Sequence, residues 1–275
     1  MVTLPAGPGG SPDVAHRHRE LAESFGADAG RYDRARPRYP ADMVDAIVAR
    51  VPGRSLLDVG TGTGISAEPF RDRGFTVLGV EPDARMAALA RAKGLPVEDG
   101  GFEQWDPAGR TFDGVVAGQS WHWVDPDRGA AKAAVVLRPG GCLALFWSVG
   151  RPPSELAIEF AEIVDSIGSG LPFNPWRSAP DARPYGAIID AAAAGLQATG
   201  VFGPTDRQTF SSAVTLPGPV WLEQVSTSGG INRLPPEQLG ALTGGMGRAI
   251  ERAGGYVAVE YTTVVAMAER LTDGR

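Results

Sequence analysis

Four short apolar runs punctuate the first half of the chain, at residues 55–59, 76–80, 112–117 and 142–147. Each is too short for a helix and is bounded by Gly, Pro or acidic residues, the pattern of strands buried on both faces of a parallel sheet. Between them, segments 65–73, 83–92 and 127–136 read as helices, and a short third strand is expected near 95–98. Pro69 sits inside the first of these helices, which must start late or bend there. Ahead of the first strand, Val44, Ile47, Val48 and Val51 recur at helical spacing, so a helix after Pro40 packs on the sheet. Strands alternating with helices predict a doubly wound α/β sheet.

Beyond Trp147 the alternation stops. Leu156, Phe160, Ile163 and Ile167 share one helical face within 154–167, a loop with Pro172, Pro175 and Trp176 follows, and a further helix is expected at 185–198. Segments 207–216 and 256–268 read as two final strands in an antiparallel edge, for seven strands in all. The stretch 217–254 between them is too long for a turn and should form helices over the active site, with Trp221 in the acceptor cavity. Residues 1–20 lack apolar periodicity and read as a flexible arm, whose His16 and His18 are incidental rather than a metal pair. Residues 21–275 then form one domain, with 148–185 and 217–254 as segments that cover the substrate.

The chemistry begins at 56–64, LLDVGTGTG, where a strand gives way to three glycines alternating with threonine. A dinucleotide fingerprint would place its third glycine where Ile65 stands, and no Lys-Ser/Thr follows to make a phosphate loop. A tight turn of bare backbone N–H groups without a phosphate-binding cation suits a ligand with a small carboxylate and amine, as in S-adenosylmethionine (SAM). Glu81 follows 21 positions after Gly60, at the end of the second strand, where an acid can accept hydrogen bonds from both ribose hydroxyls. Asp58 either holds the loop through backbone hydrogen bonds or meets the ligand amine through water.

With the glycine loop and the acid in register, the chain resembles the class I SAM-dependent methyltransferases, in particular the type 11 branch that includes trans-aconitate and ubiquinone-pathway enzymes. Segments 24–40, 102–107, 117–123 and 137–141 share that branch's pattern, and the likeness spans about residues 22–148. The resemblance implies a seven-stranded, mainly parallel Rossmann-like fold with a helical cap near the C-terminus. It also implies SAM as cofactor and S-adenosylhomocysteine as product. The cofactor-binding set it points to is Tyr32, Arg36 and Tyr39 in the lead-in segment; Gly60, Thr61, Gly62 and Gly64 in the loop; Glu81, Pro82 and Met86; Phe102 and Glu103; and Gly118, Gln119 and Ser120. Which of Arg34, Arg36 and Arg38 turns inward is open. The adenine hydrogen bond is open between the Phe102 backbone and Glu103, because relatives carry an acid one or two positions earlier, where this chain has Gly101.

Trp121, His122 and Trp123 form the densest aromatic cluster. Aromatic faces attract a sulfonium by about 0.5–2 kcal/mol, although Trp123 is read here as packing. His122, the one histidine outside the N-terminal arm, is the catalytic candidate, a base for an alcohol or phenol acceptor. The expected reaction is methyl transfer to a small molecule, with oxygen the first choice and carbon or nitrogen open. The same motifs would also serve a SAM-binding rearrangement or cyclisation enzyme, or a non-catalytic SAM-binding protein.

Net charge is −6 with basic residues scattered, which argues against a nucleic-acid partner. Cys142 lies in a predicted strand and reads as a buried small residue rather than a reactive thiol. No apolar run reaches the roughly 18 residues of a membrane span and the N-terminus lacks a signal peptide's apolar centre, so a cytoplasmic protein is expected. Only Lys93 and Lys132 among 26 basic residues are lysine, which with abundant Ala, Gly and Pro hints at a GC-rich bacterial genome. No metal site is expected, and the oligomeric state is left open.

Overall fold

Strands β1 (Ser55–Val59), β2 (Thr76–Glu81), β3 (Val97–Asp99), β4 (Phe112–Gly118), β5 (Leu137–Arg151), β6 (Asp206–Pro217) and β7 (Tyr256–Glu269) make one sheet, ordered β3-β2-β1-β4-β5-β7-β6. β1 to β5 pair in parallel, and β7 runs antiparallel between β5 and β6. The computed structural model describes residues 26, 28–168, 171, 174–177 and 185–272. The expected arm at 1–20, with His16 and His18, and Pro172 of the predicted loop lie outside the described residues.

The helices are α1 (Ala29–Ala35), α2 (Ala41–Val48), α3 (Glu68–Arg71), α4 (Ala84–Ala92), α5 (Pro126–Val136), α6 (Ser154–Ser166), α7 (Gly186–Ala198), α8 (Gly218–Ser226) and α9 (Pro236–Arg252). The expected helix 65–73 shrinks to the single turn α3. Pro69 lies in that first turn, where its missing N–H is harmless, and residues ahead of it are turns. β5 begins five residues earlier than the apolar run at 142, because Leu137 already pairs with Phe112 before a register shift. Asp83 and Asp125 start α4 and α5 by accepting the backbone N–H groups of Arg85 and Met86, and of Asp127 and Arg128.

Both faces of the sheet are covered. Leu57, Val115, Leu143 and Trp147 pack with α5 and α7 on one side, while Leu56, Val116 and Phe146 pack with α2 and α4 on the other. Cys142 is buried in the second layer, and that burial pushes its thiol up to about 12, so it stays protonated. The residues between β6 and β7 form α8, a short 3₁₀ turn at Ile231–Arg233, and α9. With α6 they enclose a third core of Leu156, Phe160, Trp221, Met246, Ile250, Val257 and Val259. Along β7, Val257, Val259 and Tyr261 face this cap while Tyr256 and Glu260 are exposed, the two-residue period of a strand with one covered face. No described helix is long and apolar enough to cross a membrane.

Phe160 is fully buried and stacks on Trp221 with ring centroids 6.5 Å apart, so it ties α6 to α8. Phe160→Ala should lower stability by about 3–5 kcal/mol in urea unfolding. A loss below about 1 kcal/mol would mean the cap core adds little to folding.

Candidate functional site

The chain leaves β1 through a loop whose Gly60, Gly62 and Gly64 all have positive φ, of 64°, 57° and 89°. A Cβ at Gly60 would stand 2.6 Å from that of Ser120, so the backbone here approaches the end of β4 as only glycine allows. Beneath the loop lies Asp58, fully buried, whose Oδ2 accepts the hydroxyls of Thr61 and Ser66, each at 2.6 Å. Asp58 thus holds the loop through side-chain hydroxyls and not through the backbone hydrogen bonds expected from sequence. Gly79 in β2 leaves the room: its Cβ would lie 2.6 Å from Thr61 Cγ2. Burial raises the Asp58 carboxyl to about 6, against the pull of its two hydroxyl donors.

Glu81 closes the loop from the side. Its Oε2 accepts the Gly62 N–H at 2.7 Å and its Oε1 the Asp83 N–H at 2.9 Å. Burial raises this carboxyl to about 7, with the two N–H donors opposing. The acid is therefore anchored on the loop it was paired with by sequence spacing.

One cavity runs from Glu81 along the carboxyl edge of the sheet. At one end are Glu81, Pro82, Met86, Phe102 and Glu103; in the middle Gly60, Thr61 and Gly62; at the other end Gly118, Gln119 and Ser120, faced by Tyr32, Arg36 and Tyr39. Every predicted cofactor residue except Gly64 lines it. Gly64 sits behind the loop, where its Cβ would meet Leu95 and Ala90, and its role is the turn itself. Arg36 is the arginine that turns inward: 9% exposed, it lies over the Tyr32 ring at 4.3 Å and donates to the Thr227 carbonyl at 2.7 Å. Arg34 stays outside near Glu223, and Arg38 joins the rim beside Asp33 and Glu68. Glu103 accepts the Asp125 N–H at 3.0 Å, which ties it to the start of α5.

Three expectations are corrected. His122 does not line the cavity. It is buried, accepts the Trp147 indole N–H at Nδ1 (3.2 Å), and burial pushes it down to about 3, so its imidazole is neutral and packed in the core rather than on the cavity wall. Trp123, read as packing, does line the cavity, its ring 4.6 Å from that of His122. Trp221 is 2% exposed inside the cap core and is absent from the cavity wall, because it packs on Phe160.

Sequence reasoning missed Ser148, which lies in β5 next to the end of β4. The rule that ligands sit at the carboxyl edge of adjacent strands could have flagged it. Its carbonyl accepts the Gln119 Nε2 at 2.6 Å, and this bond holds Gln119 at a φ of 57°, unusual for a residue with a side chain. Gln119 Oε1 is buried with no partner among the described atoms.

These groups fit a nucleoside joined to an amino acid. An acid stands where a ribose would lie, bare glycine backbone lies beside it, and Gly118 packs so closely on Phe146 and the Tyr39 hydroxyl that a Cβ there would come within 2.5 Å and 2.8 Å of them. No cluster of metal-ligating side chains occurs among the described residues.

Comparison with known proteins agrees. A family model described as a methyltransferase domain matches residues 57–145. A protein of Mycobacterium tuberculosis, described as an uncharacterized methyltransferase, is 36% identical over 162 residues, 54% of this chain and 62% of that protein. The ubiquinone biosynthesis O-methyltransferase of Methylobacterium nodulans is 32% identical over 155 residues, 49% of this chain and 62% of its own. The match thus spans 62% of the length of each of these relatives. A candidate type II methyltransferase from Anaeromyxobacter dehalogenans superposes with a TM-score of 0.58 at 21% identity, over 86% of this chain and 98% of that one, and shares the fold. Glycine loop, acid and sheet order agree with these matches: the chain has the Rossmann-like methyltransferase fold, and its residues 57–145 match the methyltransferase domain family.

Proposed function

We propose that the protein transfers the methyl group of SAM to an oxygen atom of a small-molecule acceptor. The observation that carries this reading is the single cavity joining Glu81 at one end to Gln119, Trp123 and Arg36 at the other. In this reading Glu81 accepts the two ribose hydroxyls, Pro82 and Met86 flank the nucleoside, and Phe102 with Glu103 bounds the adenine. Gly60, Thr61 and Gly62 lie against the amino-acid portion, and Gly118, Gln119 and Ser120 lie beneath the reacting centre. When bound, SAM supplies an electrophilic methyl carbon and a neutral thioether leaving group.

The chain's own contribution is orientation and exclusion of water. The Trp123 ring offers a face to positive charge at the end of β4. Tyr32, Arg36 and Tyr39 cover the cavity from the lead-in segment, and Ser148 borders it from β5. With His122 withdrawn, the described groups at that end are neutral or cationic: Gln119, Ser148, Trp123, Tyr32, Tyr39 and Arg36. Burial raises the Tyr39 phenol well above its ordinary value, so it stays protonated. Such a wall suits an acceptor that brings its own ionised oxygen, a carboxylate or an acidic enol or phenol, and needs no base. The O-methyltransferase among the relatives supports oxygen as the nucleophile.

Calorimetry with SAM tests the ribose contact. Because the Glu81 carboxyl titrates at about 7 and ribose hydroxyls donate to its ionised form, affinity should fall as pH drops below 7, approaching about tenfold per pH unit. Glu81→Gln should weaken binding by about 1.5–3 kcal/mol and flatten this dependence. An unchanged affinity, or an unchanged slope, would remove Glu81 from the ribose.

Turnover tests the acceptor class. S-adenosylhomocysteine release should appear with carboxylates or acidic enols and phenols, and His122→Gln should keep it, whereas loss of a true general base lowers rates by about 10²–10⁴. Methylation of amines alone, or a His122→Gln loss on that scale with folding and SAM affinity intact, would contradict the reading.

A further inference from the structure

β6 ends the sheet, and no described residue pairs with its outer edge. The strand is long and regular, with twelve residues from Asp206 to Pro217 paired to β7 without a register shift. Exposed sheet edges are normally blunted by a charge, a bulge or an internal proline. Here no charged residue occurs between Arg207 and Glu223, no bulge interrupts the pairing, and the sole proline is at the strand's end. From Ser211 to Thr215 the side chains are exposed one after another, and Val214 is 41% exposed.

An edge of this kind is self-complementary: two copies related by a two-fold axis pair antiparallel, each supplying the same strand. An axis at Ser212 sets opposite each other residues equidistant from it. Phe210 then faces Val214 of the second copy, and Thr209 faces its Thr215, an aromatic with a β-branched residue and a threonine pair, both favourable across strands. Arg207 meets Pro217, so no like charges oppose, which matters for two copies that each carry −6. We infer that the protein forms a homodimer through antiparallel pairing of β6 with β6 of a second copy, centred near Ser212.

Sedimentation velocity over about 1–100 µM tests this, with two double variants chosen from the register. Thr209 and Thr215 are exposed and lie six residues apart on one strand, about 20 Å, so they do not touch within a chain. They lie outside the cavity, and SAM binding with an unchanged melting temperature serves as the folding control. The wild type should sediment as a dimer. Thr209→Lys with Thr215→Lys sets like charges opposite each other twice and should weaken the dimer by about tenfold or more. Thr209→Lys with Thr215→Glu sets opposite charges there and should restore it. A wild type that stays monomeric throughout, a dimer indifferent to the paired lysines, or a Lys/Glu variant as weak as the Lys/Lys one would overturn the proposal.

Discussion

Two buried carboxylates, Asp58 and Glu81, shape the loop on which the rest of the site depends. Asp58 grips it from beneath through the hydroxyls of Thr61 and Ser66, and Glu81 grips it from the side through the Gly62 N–H. Desolvation works against both acids and raises both carboxyls. Their donors offset that penalty, so deleting a donor leaves a buried oxygen unsatisfied and loosens the loop. Glu81 is thus committed twice, to its own backbone and to the cavity it faces, and its poise near neutral pH links loop geometry to ligand binding.

The lead-in helix α1 extends this constraint outward. Asp33 accepts the Thr63 hydroxyl of the loop at 2.6 Å and Lys93 at 2.8 Å, while Lys93 also meets Glu68. Burial pushes the Asp33 carboxyl up, but Lys93, Thr63 and Arg38 outweigh it and hold it below its ordinary value. On its other face, α1 reaches the cap: Arg31 donates to Ser226 and lies near Glu223, and Arg36 reaches the Thr227 carbonyl. One short helix therefore joins the cofactor loop to the cap, across the cavity that Tyr32, Arg36 and Tyr39 line.

Much of this was legible in the sequence because it is local. The strand cores, the glycine spacing and Glu81 follow from periodicity and backbone sterics, although β5 extends beyond its apolar run at both ends. What sequence could not decide depended on packing from distant segments. His122 and Trp123 are neighbours, and only the Trp147 indole on β5 determines that the histidine is turned into the core while the tryptophan meets the cavity. Trp221 was likewise an aromatic in a cap segment until Phe160, sixty-one positions earlier, claimed its face. Three arginines at alternate positions were equivalent until the Thr227 carbonyl chose Arg36.

A crystal structure with S-adenosylhomocysteine bound tests the central claim most directly. The expected result is both ribose hydroxyls on the Glu81 carboxylate, with the homocysteine portion against Gly60 and Gly62 and its sulfur near Gln119 and Trp123. A ligand whose ribose lies away from Glu81, or whose sulfur points away from the Gln119 end of the cavity, would contradict it.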